Sequence, residues 1–408
     1  MDIKIYPNKL IGTVNAPSSK SYSHRMIIAA ALADGISEIS NVTASADIGV
    51  TAEAMNSLGA NVISDGDVYT VKGIKSAAKA AEIDCGESGS TLRFIIPIAC
   101  ALGTEATFIG HGKLPERPIT PYVREFSSKG VGFEPQSGLP ISVKGKLSAG
   151  EYNLEGDVSS QFITGLMFAL PLCSEDSVIK LTSPLQSKPY ADMTIAVLKQ
   201  FGIDIHETTM NGLPLYLIKG NQKYKPCRVI VEGDYSQAAF FYTANALGSE
   251  IIVKNLNPES VQGDKAITDI IAGCGNDMKP FTVDVGDIPD LVPILTVLGC
   301  FTKGKSRIVN AARLKIKESD RLTAIADALN RIGGKVTAGD DYLEIEPIDH
   351  FTGGEVDSYN DHRIVMSAAI AALSSDSPVI IKGAEAVNKS YPRFFDDFKA
   401  LGGQFEIL

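Results

Sequence analysis

The stretch PSSKSYSHRMIIAAALADG, residues 17–35, decides how the rest of the chain is read. It opens on a Pro/Ser turn whose hydroxyls suit a helix N-terminus, continues as an apolar stripe at helical spacing, and stops at Asp-Gly. A short β-branched run, ISEISNV, follows. The same order returns five times. It recurs at CGESGSTLRFIIPIACALG (85–103), leading into GTEATFIG, and at EGDVSSQFITGLMFALPL (155–172), leading into SVIKLTS. In the second half it appears at EGDYSQAAFFYTANALG (232–248), GDIPDLVPILTVLGC (286–300) and YNDHRIVMSAAIAAL (359–373), with EIIVKNL, SRIVNAA and PVIIKG behind them. Each β-branched run predicts a strand, so the chain reads as six similar α/β units.

Further along several units, LGANVISDGDVYTVKG, FGIDIHETTMNGLPLYLIKG and IGGKVTAGDDYLEIEP add a helix end at glycine and a hairpin pattern. Glycine just past a helix supplies its left-handed cap, and the alternation beyond it suits strands with one buried face. Each unit is therefore predicted to run helix, strand, helix, hairpin. The last, LGGQFEIL, stops after one strand, while the chain begins with an unassigned strand-like IKIYP (3–7). The first strand is expected to complete the last unit. This places the N-terminus with the C-terminal half and predicts two three-unit domains: 17–229, and 1–16 with 230–408. Two crossing segments make a hinge, and a cleft between closing halves is the expected place for a small-molecule site.

Composition limits the function. The chain has 408 residues, 44% hydrophobic and 21% charged, which excludes disordered, collagenous and disulfide-stapled classes. Its 38 basic against 48 acidic residues give a net charge of −10, a field that disfavours nucleic acid and anionic membranes as partners. An anionic ligand must therefore meet a local basic cluster. The start, MDIKIYPNKL, shows no basic-then-apolar signal pattern, and apolar stretches fall short of the roughly 18 residues of a membrane span, so a soluble cytoplasmic protein is expected. Six cysteines without C-x-x-C read as buried free thiols, and five isolated histidines give no metal site.

The basic clusters sit at the repeated openings. Lys20, Ser21 and Arg25 mark the first; Gly89, Ser90 and Arg93 the second; Ser159, Ser160 and Gln161 the third; Asp290 the fifth; Asp361, His362 and Arg363 the sixth. Backbone N–H groups at a helix start attract anions, and added Lys, Arg and hydroxyls make a phosphate or carboxylate cradle. The loop KLPERPITP contributes Arg117, and NKSYPRFF contributes Lys389. In KIKESDRL, a helical reading puts Lys317 and Arg321 one turn apart on one face, with Glu318 beside them. GCFTKGKS (299–306) satisfies the phosphate-loop pattern, yet it follows a helical stripe and leads into a strand, the inverse of the required context.

The motifs P-S-S-K-S-Y-S-H-R, G-E-S-G-S-T-L-R, P-E-R-P, V-S-S-Q-F, S-K-P-Y, I-P-D, K-E-S-D-R-L, N-D-H-R and N-K-S-Y-P, in this order across residues 17–393, resemble the 5-enolpyruvylshikimate-3-phosphate synthase family. The resemblance implies two inside-out α/β domains of three βαβαββ units each. It also implies transfer of the enolpyruvyl group of phosphoenolpyruvate to the 5-hydroxyl of shikimate 3-phosphate in aromatic amino-acid synthesis, with no cofactor needed. Separately, a monomer is expected, with the oligomeric state left open by the sequence. Carried over position by position, it assigns Lys20, Ser21, Arg25, Ser159, Ser160, Gln161, Ser187, Tyr190, Asp290 and Lys317 to shikimate 3-phosphate. It assigns Lys20, Gly89, Arg117, Gln161, Arg321, Arg363 and Lys389 to phosphoenolpyruvate, and marks Gly89 as the position where small size governs glyphosate competition. Asp290 and Glu318 are expected to carry the proton traffic, with Lys20 as cationic partner and the acid and base roles open. Arg313, His24, Glu87 and Ser18 depart from the family pattern, so the contact at Arg313 is not carried over.

Two other readings are weighed. A sister carboxyvinyltransferase acting on UDP-N-acetylglucosamine carries a reactive cysteine before its Arg-Pro, which GHGKLPERP lacks. A six-unit DNA clamp requires basic residues lining a DNA-facing surface without an acid/base pair beside them, whereas here the bases gather next to Asp290 and Glu318.

Overall fold

The computed structural model describes residues 1–408, and the six openings are the starts of six buried helices. The first, Lys20–Leu32, is capped by Ser19, whose side chain accepts from the Tyr22 N–H. Ser88 caps Gly89–Leu102, Ser159 caps Ser160–Ala169, Asp234 caps Tyr235–Ala246 and Asp361 caps His362–Ala372, each through its side-chain oxygen. Such a cap contributes about 1 kcal/mol and fixes where the helix starts, and so where its first side chains point. Val292–Cys300 instead begins from a 3-10 turn, Pro289–Leu291, which carries Asp290. All six are apolar on nearly every side and are enclosed accordingly.

The predicted strands form at Ile36–Ser40, Glu105–Ile109, Ser177–Leu181, Glu250–Lys254, Ser306–Val309 and Val379–Lys382. Five of them belong to four-stranded sheets of one design. The strand following the core helix pairs in parallel with an edge strand and antiparallel with a further strand: Glu105–Ile109 lies between Ala80–Asp84 and Ile141–Lys144, and Gly132–Glu134 completes that sheet. In the last sheet, Ile3–Tyr6 fills the place between Val379–Lys382 and Gln404–Ile407.

The fourth unit departs from the expected pattern. Its strand Glu250–Lys254 pairs only with Ile11–Asn15, in a two-stranded ribbon. No hairpin follows, because helix Ala266–Cys274 is succeeded almost at once by Thr282–Asp284, which belongs to the next sheet. The segments leading to the first and fourth core helices also exchange roles: Ile11–Asn15 pairs with the strand after the fourth helix, and Arg228–Ile230 with the strand after the first.

By contacts the chain forms two units, Ser18–Glu232 and Met1–Pro17 with Gly233–Leu408. Each has its own core, one centred on residues such as Ile27, Phe94, Ile163 and Phe168, the other on Phe240, Leu295, Ile325 and Ile364. GCFTKGKS runs from the end of helix Val292–Cys300 into strand Ser306–Val309, so its backbone presents no helix N-terminus, and Lys305 pairs with Glu344 and Glu346. The cysteines are unpaired; burial pushes the thiols of Cys100 and Cys300 up to about 12. No helix is long and apolar enough to cross a membrane.

Candidate active site

In the unit Ser18–Glu232, polar side chains collect at the starts of its three core helices. Lys20 Nζ lies 2.8 Å from Asp47 Oδ2, a pair at a helix start that is only partly solvated. Arg25 is buried and held by neutral groups: Nε donates to Thr194 Oγ1 at 2.8 Å, and the two terminal nitrogens donate to the carbonyls of Ser21 at 2.8 Å and Tyr190 at 3.0 Å. Its plane lies over Phe94 at 5.2 Å. Burial pushes Arg25 down to about 10, so it stays cationic at neutral pH. Ser187, which begins helix Lys188–Gln200, is buried with a left-handed backbone at φ 58°, a strained conformation for a residue with a side chain.

Gly89, Arg93, Arg117 and Gln161 form the second part of this cluster. Arg93 donates to Gln161 Oε1 at 2.6 Å and to the Pro118 carbonyl at 3.0 Å, with its guanidinium 4.9 Å from the Phe162 ring. Gln161 in turn donates to Ser90 Oγ at 3.0 Å. A Cβ on Gly89 would come within 2.8 Å of Arg117 Nη1 and 3.5 Å of Gln161 Oε1, so glycine allows the guanidinium to approach the helix start. His24 ties the first helix to the second through a buried chain: Nδ1 to Thr51 Oγ1 at 2.7 Å, Thr51 to Thr91 at 2.6 Å and Thr91 to Ser88 at 2.8 Å. Burial, then Lys20 and Arg25, hold His24 well below the usual range, so it is neutral. Ser160 is buried beside Ser159.

The other unit holds a different cluster. Arg321, 1% exposed, is shared by three carboxylates: Nε to Asp361 at 2.7 Å, Nη1 to Asp290 Oδ1 at 2.8 Å and Nη2 to Glu318 at 2.5 Å. Arg363 donates to Asp290 Oδ2 at 2.8 Å, and Lys317 Nζ stands 3.9 Å from Oδ1. Burial works to raise the Asp290 carboxyl, but Arg363, Lys317 and Arg321 outweigh it and hold the group below the ordinary carboxylate range. Lys317 is pushed down to about 8, mainly by burial.

The helical reading of KIKESDRL is corrected here. Ala312–Ile316 is a 3-10 turn, Lys317 is extended, and the helix begins only at Arg321 with Asp320 as its cap. Asp320 competes for the backbone N–H groups and stops the helix from growing backwards. Lys317 and Arg321 meet at Asp290 nonetheless. Lys389 donates to the Asn360 carbonyl at 2.6 Å, in the left-handed Tyr359–Asn360 turn ahead of the sixth helix. Arg313 donates to the Gly286 carbonyl at 2.9 Å.

Sequence reasoning did not single out Asp47, Thr164 or Thr194, and left Arg93 without a role. Their contacts include partners 25 to 169 positions away, and no local pattern marks them.

The family model for EPSP synthase (3-phosphoshikimate 1-carboxyvinyltransferase) matches residues 5–398. The chain is 43% identical to the 3-phosphoshikimate 1-carboxyvinyltransferase of Clostridium beijerinckii, covering 99% of this chain and 98% of that protein. It is 46% identical to the protein of that name from Clostridium acetobutylicum, with 98% and 97% covered. Among solved structures it superposes on EPSP synthase from Acinetobacter baumannii with a TM-score of 0.83, 24% identity and complete coverage of both chains. It superposes on the enolpyruvyl transferase NikO of Streptomyces tendae with a TM-score of 0.80, 16% identity and 99% and 98% coverage. These two likenesses bear on the fold alone. With the helix-start clusters, the matched length and the identity to full-length relatives in agreement, the chain belongs to the EPSP synthase (3-phosphoshikimate 1-carboxyvinyltransferase) family.

Proposed function

We propose that the protein transfers the enolpyruvyl group of phosphoenolpyruvate to the 5-hydroxyl of shikimate 3-phosphate, giving 5-enolpyruvylshikimate 3-phosphate and phosphate in aromatic amino-acid biosynthesis. The observation that carries the residue assignment is the sharing of one carboxylate, Asp290, by Arg321, Arg363 and Lys317. Both substrates are polyanions, and arginine forks match carboxylates and phosphates in pairs. Lys20, Ser21, Arg25, Ser159, Ser160, Gln161, Ser187, Tyr190, Asp290 and Lys317 hold shikimate 3-phosphate. Lys20, Gly89, Arg117, Gln161, Arg321, Arg363 and Lys389 hold phosphoenolpyruvate.

The reaction adds and then eliminates. The 5-oxygen loses its proton and bonds to C2 of phosphoenolpyruvate while C3 gains a proton, giving a tetrahedral ketal. The C2–O bond to phosphate then breaks as a methyl proton leaves. Asp290 and Glu318 carry these protons, with Lys20 as cationic partner. Before substrate arrives, Asp290 is a poor base because three cations stabilise its charge. Substrate anions compete for those cations, so binding itself raises the basicity of Asp290. Glu318 shares Arg321 with Asp290 and is subject to the same competition.

We further read the enzyme as a cytoplasmic monomer whose two contact-defined units are its two domains. Six unpaired cysteines, five of them buried, suit a reducing compartment. Phosphate release from phosphoenolpyruvate is the test. It is expected to depend on shikimate 3-phosphate and to be absent with UDP-N-acetylglucosamine; release with the nucleotide sugar alone overturns the reading.

A further inference from the structure

Asp264 lies in a 3-10 turn, Gly263–Lys265, outside every motif assigned to substrate. Its side chain is 3% exposed. One carboxyl oxygen accepts a short hydrogen bond from Ser236 Oγ in the first turn of helix Tyr235–Ala246; the other, Oδ1, is buried without a hydrogen-bond partner. A fully ionised carboxylate pays a large cost for a bare buried oxygen, whereas the neutral acid can reverse the short contact, its O–H donating to Ser236 Oγ, and leave bare only a weakly accepting carbonyl oxygen. Helix Tyr235–Ala246 packs against the turn carrying Asp264, the turn carrying Asp290 and the helix carrying Arg363. Asp264 and the Asp290–Arg363 pair are thus carried by elements that pack on one helix, and the two charges act on its carboxyl.

We propose that Asp264 is a positioning residue for the enolpyruvyl transfer: neutral, it leaves Arg363 available to phosphoenolpyruvate, and ionised, it competes with the substrate for that guanidinium. The inference rests on the reading of Arg363 given above. The charges that act on Asp264 are those of Asp290, Arg363 and Asp234 at the helix cap, and the Ser236 hydroxyl is bonded to it, while Lys265 on its own turn is directed to the Pro258 carbonyl. Burial and the charge of Asp290 push its carboxyl up to about 7, with Arg363 and Ser236 pulling the other way. The change of state thus falls near neutral pH. Above it, an extra negative charge sits beside the cation that phosphoenolpyruvate needs.

The test compares KM for phosphoenolpyruvate of the wild type and Asp264→Asn from pH 6 to 8.5 at saturating shikimate 3-phosphate. In the ratio, substrate ionisations and those of Lys317 cancel. The ratio is expected to be near one at pH 6 and to rise about three- to tenfold by pH 8.5, as a single charge near Arg363 implies. A ratio independent of pH overturns the inference. Ser236→Ala keeps the carboxyl but removes the donor that favours its charged form, so its own KM rise is expected at higher pH than in the wild type. If Asp264→Asn does not fold, an unmoved Ser236→Ala profile overturns the proposal and a displaced one supports it. Absence of shikimate-3-phosphate-dependent phosphate release from the wild type would sink the underlying functional reading; release together with a flat ratio sinks this inference alone.

Discussion

The cluster around Arg25, Arg93 and Gln161 and the cluster around Asp290 and Arg321 are both built at starts of core helices, yet they treat charge in opposite ways. In the first, hydroxyls, carbonyls and an amide orient the arginines, and aromatic rings support them. Lys20 is paired with Asp47. In the second, three carboxylates converge on one buried guanidinium. Cations oriented by neutral partners keep their charge for a ligand, whereas cations paired with carboxylates regulate proton affinity. On the proposed reading, both clusters hold anions, and the second, where cations and carboxylates share protons and charge, also carries the proton traffic.

The largest expected effect breaks the second cluster chemically. Asp290→Asn preserves size and one hydrogen-bond acceptor but removes the base, so kcat should fall by roughly 10²- to 10⁴-fold, far more than any change in KM. Normal turnover would take the proton role away from this cluster. Arg321→Met leaves three carboxylates facing one another in a buried place; urea unfolding should show a loss of about 3–5 kcal/mol, as for other broken buried ion pairs. A loss below about 1 kcal/mol, typical of exposed pairs, would mean that the network is not buried in solution.

In the first cluster the sharpest probe is steric. Gly89→Ala sets a methyl against Arg117 at 2.8 Å, so KM for phosphoenolpyruvate is expected to rise about tenfold or more while kcat holds. Glyphosate inhibition should weaken in parallel; an unchanged inhibition constant would show that Arg117 can step aside freely. Lys317, a proposed anion ligand held close to the Asp290 carboxylate, links the two modes. Its cation is lost as pH rises through about 8, so KM for shikimate 3-phosphate should climb above that pH, by up to about tenfold per unit. Lys317→Arg should hold KM flat there, because arginine keeps its proton. The smallest effect is expected at His24→Asn. His24 is already neutral and an amide can still reach Thr51, so thermal unfolding should move by less than about 1 kcal/mol. A larger loss would give the buried hydroxyl chain a structural weight not shared by the second cluster.

Much of the architecture was legible because it depends on short-range physics. Ser19, Ser88, Ser159 and Asp361 cap helices within three residues of themselves, and the apolar stripes behind them bury wherever they fold. The fourth unit was misread because its hairpin was inferred from its neighbours and not from its own residues. The helical reading through Lys317 failed because spacing alone does not reveal that Asp320 caps a later start.

What the sequence determined by itself is the set of helix openings, their polar residue types and the strands that follow them, since capping and periodicity act over a few residues. Only the tertiary structure decided which charges meet. Arg321 reaches Asp290 across 31 positions and Asp361 across 40, and Asp290 meets Arg363 across 73. Coulomb energy depends on distance in space and on the exclusion of water, and neither quantity is written in the order of residues.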